Sequence, residues 1–153
     1  MIIGISQTCS IKGRSIFDNL HLLRNIIDYV DQKNISACFI NLDQEKAFDR
    51  VSWEYMFNAL KSFGFCDYFI NWISVLYKDV SSSIIVNHCI SNSFSLTRSV
   101  MQGCSLSPLL YVLCLEPFAR TIQNDSFITG IYILLIKDIM LKCHYILMTT
   151  LPF

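Results

Sequence analysis

The sequence has little charge, no long apolar run and no metal-binding cysteine pair. Only 16% of its 153 residues are charged, and twelve basic side chains balance twelve acidic ones. A neutral chain produces no strong field, so charge alone does not draw the whole chain to nucleic acid or to an anionic membrane. No stretch reaches the roughly 20 consecutive apolar residues that span a bilayer. The apolar N-terminal segment is not preceded by a basic residue, so it does not have the pattern of a signal peptide.

The spacing of the cysteines argues against both a zinc site and a disulfide framework. The seven cysteines form no Cys-x-x-Cys pair, and no histidine lies at zinc spacing from them, so neither a zinc site nor a disulfide framework is indicated. Free and mostly buried thiols in an intracellular compartment are expected instead. Apolar residues make up 53% of the chain, which excludes intrinsic disorder and favours a buried core.

The N-terminal part of the chain predicts a helix and a strand. Apolar residues recur every three or four positions over 16–30, which predicts one apolar helical face. Asp18 lies in the first turn of this helix, where a carboxylate suits the helix dipole. The short apolar run 36–42 then predicts a buried strand that ends at Asp43.

The rest of the chain predicts three more helices and a hairpin. Helical spacing follows Trp53 until Gly64, and a second amphipathic run covers 69–77. Two β-rich runs within 82–97 flank a polar turn at Asn87-His88 and predict a hairpin. This order of elements indicates an α/β or α+β fold, and no linker or repeat marks an internal domain boundary.

The last predicted helix begins at a serine-proline pair. Ser107 is expected to cap it, with Pro108 at its first position. Glu116 and Arg120 are spaced to form an i, i+4 ion pair on this helix.

Three polar clusters are candidates for chemistry. Asp43 is followed by the charged run 44–50, which suits either a phosphate or magnesium site or an ordinary solvated turn. The segment 98–108 places a glycine and small hydroxyl residues before a helix, which suits either close approach of a phosphate or a plain capped loop. Lys12 and Arg14 offer two cations at a loop tip, a pattern that is usually only a solvated turn.

The chain resembles the reverse transcriptases of non-LTR, LINE-type retrotransposons. Four segments carry the resemblance in order: QTCSIKGRSIFDNLHLL, LDQEKAFDRVSWEYMFNALKSFGF, WISVLY and TRSVMQGCSLSPLLYVLCLEPFA. It implies an α/β (α+β) fold, the partial fingers and palm of a right-hand polymerase, over residues 1–131. It also implies RNA-directed DNA polymerisation, with RNA template, DNA primer and deoxynucleotides as partners and no membrane.

The resemblance assigns a role to the carboxylate that ends the predicted strand. In this family, the aspartate of the Leu-Asp pair binds catalytic Mg²⁺, which implies metal binding by Asp43, with the backbone carbonyl of Gln44 as a second ligand. Two magnesium ions hold the attacking and leaving oxygens when a nucleotide joins a primer 3′-OH, and Mg²⁺ prefers carboxylate ligands.

The resemblance also implies a nucleotide-binding set. Phe48 matches the aromatic sugar gate, whose ring would clash with a 2′-OH and select deoxynucleotides. Gln102 and Gly103 match the pair that borders the incoming nucleotide and the template base. Arg14 matches an arginine that contacts phosphate or template.

Several positions depart from the family pattern. Ser99 and Ser105 replace a glycine and a proline, and Asn87-His88 replaces an Asn-Gly turn whose geometry histidine disfavours. The family's second metal motif, an Asp-Asp pair, has no counterpart, because no Asp or Glu follows Asp138. The resemblance therefore implies a truncated fragment that is inactive alone, with an uncovered apolar sheet face that favours association.

Residues 132–153 are interpreted as a divergent tail. If Leu147-Met148-Thr149 are encoded by CTG-ATG-ACY, another frame reads Asp-Asp, and we hypothesise that the tail is translated out of frame. The alternative to a polymerase segment is a non-catalytic retrotransposon remnant, or a fragment that binds nucleic acid without turnover.

Overall fold

A computed structural model describes residues 2–4, 7–8, 10–42, 44–128, 131–132, 140–141 and 146–149. Four helices lie in this part of the chain, α1 (Ile16–Lys33), α2 (Trp53–Ser62), α3 (Asp67–Leu76) and α4 (Ser107–Asn124). The strands are β1 (Cys38–Asn41), β2 (Ser81–Ser82), β3 (Ile85–Val86), β4 (Cys89–Ile90), β5 (Phe94–Ser95), β6 (Ile131–Tyr132), β7 (Met140–Leu141) and β8 (Ile146–Thr149). The predicted mixed α+β class is confirmed.

The chain divides into two compact units. The terminal unit comprises Met1–Glu45 and Leu115–Phe153, and the central unit comprises Lys46–Cys114. The division falls within α4, at a place that no linker or repeat marks in the sequence. None of the helices in the described ranges is long and apolar enough to cross a membrane.

Helix α1 of the terminal unit begins with reciprocal capping. The Ser15 hydroxyl accepts a hydrogen bond from Phe17 N–H at 3.2 Å, and Asp18 Oδ2 accepts one from Ser15 N–H at 3.3 Å. The predicted helix is therefore confirmed. Its predicted apolar face is largely uncovered, however, since Ile16 is 61% exposed and the buried residue of the helix is Ile26.

Strand β1 of the terminal unit pairs with β8 in an antiparallel ribbon. Cys38 lies opposite Thr149 and Asn41 lies opposite Ile146. The expected burial of β1 is wrong, because Phe39 and Ile40 are 43% and 39% exposed. In the described part of the chain this sheet has two strands, and a pair of strands buries its side chains only where other elements pack on its faces.

The central unit has a small core between helices and loops. Helix α2 ends at Ser62, just before the predicted stop residue Gly64, whose φ of +81° lets Phe65 N–H reach back to the Leu60 carbonyl at 3.2 Å. The apolar side chains that are buried here to 5% or less exposure belong to Met56, Ala59, Leu60, Ile70, Ile73, Val100, Leu110 and Val112. This core fixes the loops that carry the candidate site.

The predicted hairpin is confirmed in the central unit. β2 pairs with β5, β3 pairs with β4, and both pairs are antiparallel. Asn87 and His88 have φ values of +48° and +64°, as a type I′ turn requires at both central positions. Histidine thus occupies a backbone conformation that favours glycine.

Helix α4 differs from its predicted start by one residue. Ser107 is itself the first helical residue and is buried, and its N–H donates to the Cys104 carbonyl at 3.2 Å. The expected cap at Ser107 is wrong because this turn starts the helix earlier. The predicted Glu116–Arg120 ion pair is confirmed, with 3.1 Å between Oε1 and Nε.

The cysteines in the described residues carry free thiols. Of these five, Cys114 is buried, Cys38 and Cys104 are half-buried, and Cys66 and Cys89 are exposed. The expectation of mostly buried thiols is therefore wrong for this part of the chain. Burial raises the pKa of the Cys114 thiol to about 12.

Candidate active site

The turn that carries Phe48 is joined to the segment that leads to Gln102. Val100 N–H donates to the Phe48 carbonyl at 3.0 Å, and Ser99 N–H donates to the Val51 carbonyl at 2.8 Å. Val100 is completely buried, so this connection is anchored in the core of the central unit. Two predicted site segments that are far apart in sequence are therefore brought together.

Ser99 adopts a backbone conformation typical of glycine. Its φ is +94°, a region that costs any residue with a Cβ atom. Trp53 Nε1–H donates to the Ser99 carbonyl at 2.8 Å, and the Ser99 hydroxyl donates to Asp49 Oδ1 at 3.2 Å. Serine at the glycine position of the resemblance thus retains the glycine backbone. Trp53 is half-buried, and its indole N–H holds this turn.

The ring of Phe48 stacks on that of Tyr111. Their centroids lie 5.0 Å apart and the ring planes differ by 16°. Both side chains are half-buried, and Tyr111 lies in the part of α4 that belongs to the central unit. Sequence reasoning missed Tyr111, because no local spacing pairs a helical tyrosine with a turn so distant in sequence.

Gln102 and Gly103 lie in an exposed turn before α4. Cys104 N–H donates to the Met101 carbonyl at 3.4 Å across this turn. Gly103 has a φ of +84°, and a Cβ atom added there would meet nothing within 4 Å. Glycine is therefore required for its backbone conformation rather than for space. The backbone N–H groups of Leu106 and Ser107 lower the pKa of the Cys104 thiol.

Arg14 lies in the terminal unit and binds backbone carbonyls. Its Nη1 donates to the Gly4 carbonyl at 2.5 Å and to the Gln7 carbonyl at 2.6 Å. Glu116, which is 1% exposed, accepts a hydrogen bond from Gly4 N–H at 2.9 Å. Arg14 and Glu116 together hold the N-terminal segment, a role that sequence spacing did not reveal.

Comparison with known proteins decides the family. Residues 2–144 match the family model described as reverse transcriptase (RNA-dependent DNA polymerase). The chain belongs to the reverse transcriptase family. This confirms the resemblance found from the sequence motifs.

Three relatives of this reverse transcriptase chain are proteins of transposable elements. The chain is 35% identical to the transposon TX1 uncharacterized 149 kDa protein of Xenopus laevis, over 76% of the chain and 9% of the relative. It is 31% identical to a Pol polyprotein from type-2 retrotransposable element R2DM of Drosophila melanogaster, over 65% of the chain and 10% of the relative. It is 27% identical to a Pol polyprotein from type-1 retrotransposable element R2 of Popillia japonica, over 71% of the chain and 18% of the relative.

These relatives confirm a reverse transcriptase of the non-LTR retrotransposon kind. The aligned segments cover 9%, 10% and 18% of the relatives' lengths. The chain therefore spans a small part of each relative.

Reverse transcriptases use a divalent metal ion and act on nucleic acids. Asp43, the expected metal ligand, lies outside the described residues, and Gln44 is an exposed residue of the terminal unit. Among the residues the structure describes, no group of three His, Cys, Asp or Glu side chains is placed to hold a metal ion.

Proposed function

We propose that this chain supplies the nucleotide-selecting part of an RNA-directed DNA polymerase. The observation that carries the proposal is the hydrogen bond from Val100 N–H to the Phe48 carbonyl at 3.0 Å. It couples the proposed sugar gate to the segment that ends in Gln102-Gly103. Both segments match the family in sequence order.

Phe48 is the proposed gate for the incoming sugar. A flat ring beneath the sugar leaves room for a 2′-hydrogen and clashes with a 2′-hydroxyl. The half-buried position of Phe48 fits this role, since one side of the ring faces Tyr111 and the side chain keeps some exposure. The nucleotide substrates would then be deoxynucleotides, and membership of the family supports an RNA template and a DNA primer as partners.

Gln102 and Gly103 are the proposed border of the nucleotide and the template base. Their exposed turn lets backbone groups approach a base or phosphate closely, because Gly103 carries no side chain. Arg14 is a proposed contact to phosphate or template by family position. Its carbonyl bonds to Gly4 and Gln7 support a second role in holding the N-terminal segment.

Asp43 and the Gln44 carbonyl are the proposed ligands of one Mg²⁺ ion. In phosphoryl transfer the metal supplies charge stabilisation at the attacking and leaving oxygens. One strand aspartate does not hold two such ions, and no Asp or Glu follows Asp138 in these 153 residues. We therefore expect the chain by itself to bind deoxynucleotides without extending a primer.

Equilibrium dialysis of the full chain against dATP and ATP tests the proposal. Tighter binding of dATP is expected, and Phe48→Ala should reduce that preference about tenfold, the scale of one steric misfit in a pocket. Phe94→Ala, which removes a 45% exposed ring from β5, is the matched control and should leave the preference unchanged. Equal binding of the two nucleotides by the unsubstituted chain would contradict the gate.

Primer extension distinguishes binding from turnover. The chain is incubated with an RNA template, a DNA primer, Mg²⁺ and deoxynucleotides, with Asp43→Asn in parallel. Nucleotide binding without extension is the expected result. Extension that disappears in Asp43→Asn would show that 153 residues suffice for catalysis and would refute the expectation of inactivity.

A further inference from the structure

We propose that Tyr111 is a positioning residue that holds the Phe48 ring in the orientation a sugar gate needs. The inference rests on the proposed function of Phe48 and adds a specificity-determining residue to it. A gate discriminates between sugars only if its ring stays in place when a 2′-hydroxyl presses against it. What fixes the ring therefore matters as much as the ring itself.

The backbone of Phe48 is fixed by hydrogen bonds that leave its ring free to rotate. Its carbonyl accepts from Val100 N–H at 3.0 Å, and the surrounding turn is closed by Asp49 N–H and Arg50 N–H, which donate to the Lys46 carbonyl at 2.9 and 3.1 Å. None of these bonds restrains rotation about the Cα–Cβ bond. A side chain on such a turn keeps several staggered rotamers unless a neighbour selects one.

Tyr111 is the ring that selects the rotamer. The two rings stack at 5.0 Å with 16° between their planes, an arrangement that contributes beyond simple burial of area. The stack covers one face of the Phe48 ring, and the side chain as a whole keeps some exposure. A rotated Phe48 would lose this contact.

The backbone of Tyr111 is held in place by buried neighbours in the helix. Its neighbours on α4, Leu110 and Val112, are 1% and 2% exposed. A shift of the Tyr111 backbone would therefore disturb the core of the central unit. The stack transmits the rigidity of that core to a side chain on a turn.

Loss of the Tyr111 ring should loosen the gate without removing it. The free energy typical of a stacked aromatic pair corresponds to about a two- to tenfold change in an equilibrium. We expect Tyr111→Leu to reduce the preference for dATP over ATP by this factor, chiefly through tighter binding of ATP. Tyr111→Phe keeps the ring and should retain the preference.

The test measures dATP and ATP binding to the full chain and four variants. Tyr111→Leu and Tyr111→Phe are compared with Phe48→Ala, and Tyr68→Leu, which removes a 79% exposed ring from α3, is the matched control. A second readout is the upfield NMR shift that the Tyr111 ring imposes on the Phe48 ring protons, assigned with Phe48→Ala. The shift should vanish in Tyr111→Leu and persist in Tyr111→Phe.

The outcomes separate this inference from the proposed function. An unchanged nucleotide preference in Tyr111→Leu, beside a lost preference in Phe48→Ala, overturns the role of Tyr111 and leaves the gate standing. No preference in the unsubstituted chain, or none lost in Phe48→Ala, overturns the gate itself. Should Tyr111→Leu unfold, Tyr111→Met places a flexible, unbranched side chain at this position without a ring, and the same two results decide the question.

Discussion

Ser99 offers a direct test of how the candidate site is built. The φ of Ser99 is +94°, which lies beyond the usual left-handed region. A residue with a Cβ atom at positive φ costs about 1–2 kcal/mol of stability. Two substitutions separate this backbone cost from the side chain. Ser99→Gly removes the hydroxyl and the strain, whereas Ser99→Ala removes the hydroxyl and keeps the strain.

The expected difference between the two variants is about 1 kcal/mol in the free energy of unfolding. Relief of the strained backbone favours Ser99→Gly by about 1–2 kcal/mol, and the greater freedom of glycine in the unfolded chain offsets about 0.5–1 kcal/mol of that gain. Both variants lose the hydrogen bond to Asp49 Oδ1 at 3.2 Å, worth about 0.5 kcal/mol at an exposed site. Ser99→Ala should therefore be the least stable of the three chains.

Urea unfolding followed by tryptophan fluorescence measures this order. Trp53 is one of two tryptophans in the chain and binds the Ser99 carbonyl at 2.8 Å, so its emission reports on this turn. The slope with denaturant should stay the same, so that midpoints compare stability. A Ser99→Ala chain as stable as Ser99→Gly would refute the reasoning that the backbone here demands glycine.

Two further predictions concern the hairpin and a loop thiol. His88→Gly should raise the free energy of unfolding by about 0.5–1 kcal/mol, because His88 has a φ of +64°. Urea unfolding checks this, and His88→Ala, which keeps the strained backbone, should show no such gain. Cys104 should be alkylated by iodoacetamide at lower pH than Cys89, because N–H groups of Leu106 and Ser107 stabilise its thiolate. Peptide mass spectrometry across pH checks this, and identical pH profiles for the two thiols would contradict it.

The helices and the hairpin follow from local signals in the sequence. The periodic apolar residues predicted α2, and Gly64 predicted where it ends. Both signals are local, because they lie within the helix or directly after it. The hairpin followed from two β-rich runs around a polar turn. Its I′-type φ values persist at His88 because the flanking strand pairs fix the turn.

Burial and long-range contacts did not follow from the sequence. The apolar run at β1 predicted a buried strand, yet Phe39 is 43% exposed, because burial depends on which elements cover a strand. The stack of Phe48 on Tyr111 depends on how a turn meets a distant helix. Arg14 likewise contacts the carbonyls of Gly4 and Gln7, contacts that its position in a loop did not predict.

The order of the sequence motifs predicts one part of the candidate site, and the geometry of the structure adds the other part. The family positions of Phe48 and Gln102 follow from the order of short segments, which several matches together make specific. The hydrogen bond that joins their segments, and the glycine-like backbone of Ser99, required the structure. The structure therefore shows a physical connection between two segments for which the sequence alone gave only the order along the chain.

The affinity of the full chain for dATP relative to ATP is the decisive measurement of sugar selection by Phe48. Equilibrium dialysis of the unsubstituted chain and of Phe48→Ala measures whether the ring stacked on Tyr111 selects the sugar. We predict tighter binding of dATP, with the preference reduced about tenfold in Phe48→Ala. Equal affinities for the two nucleotides in the unsubstituted chain would contradict the claim.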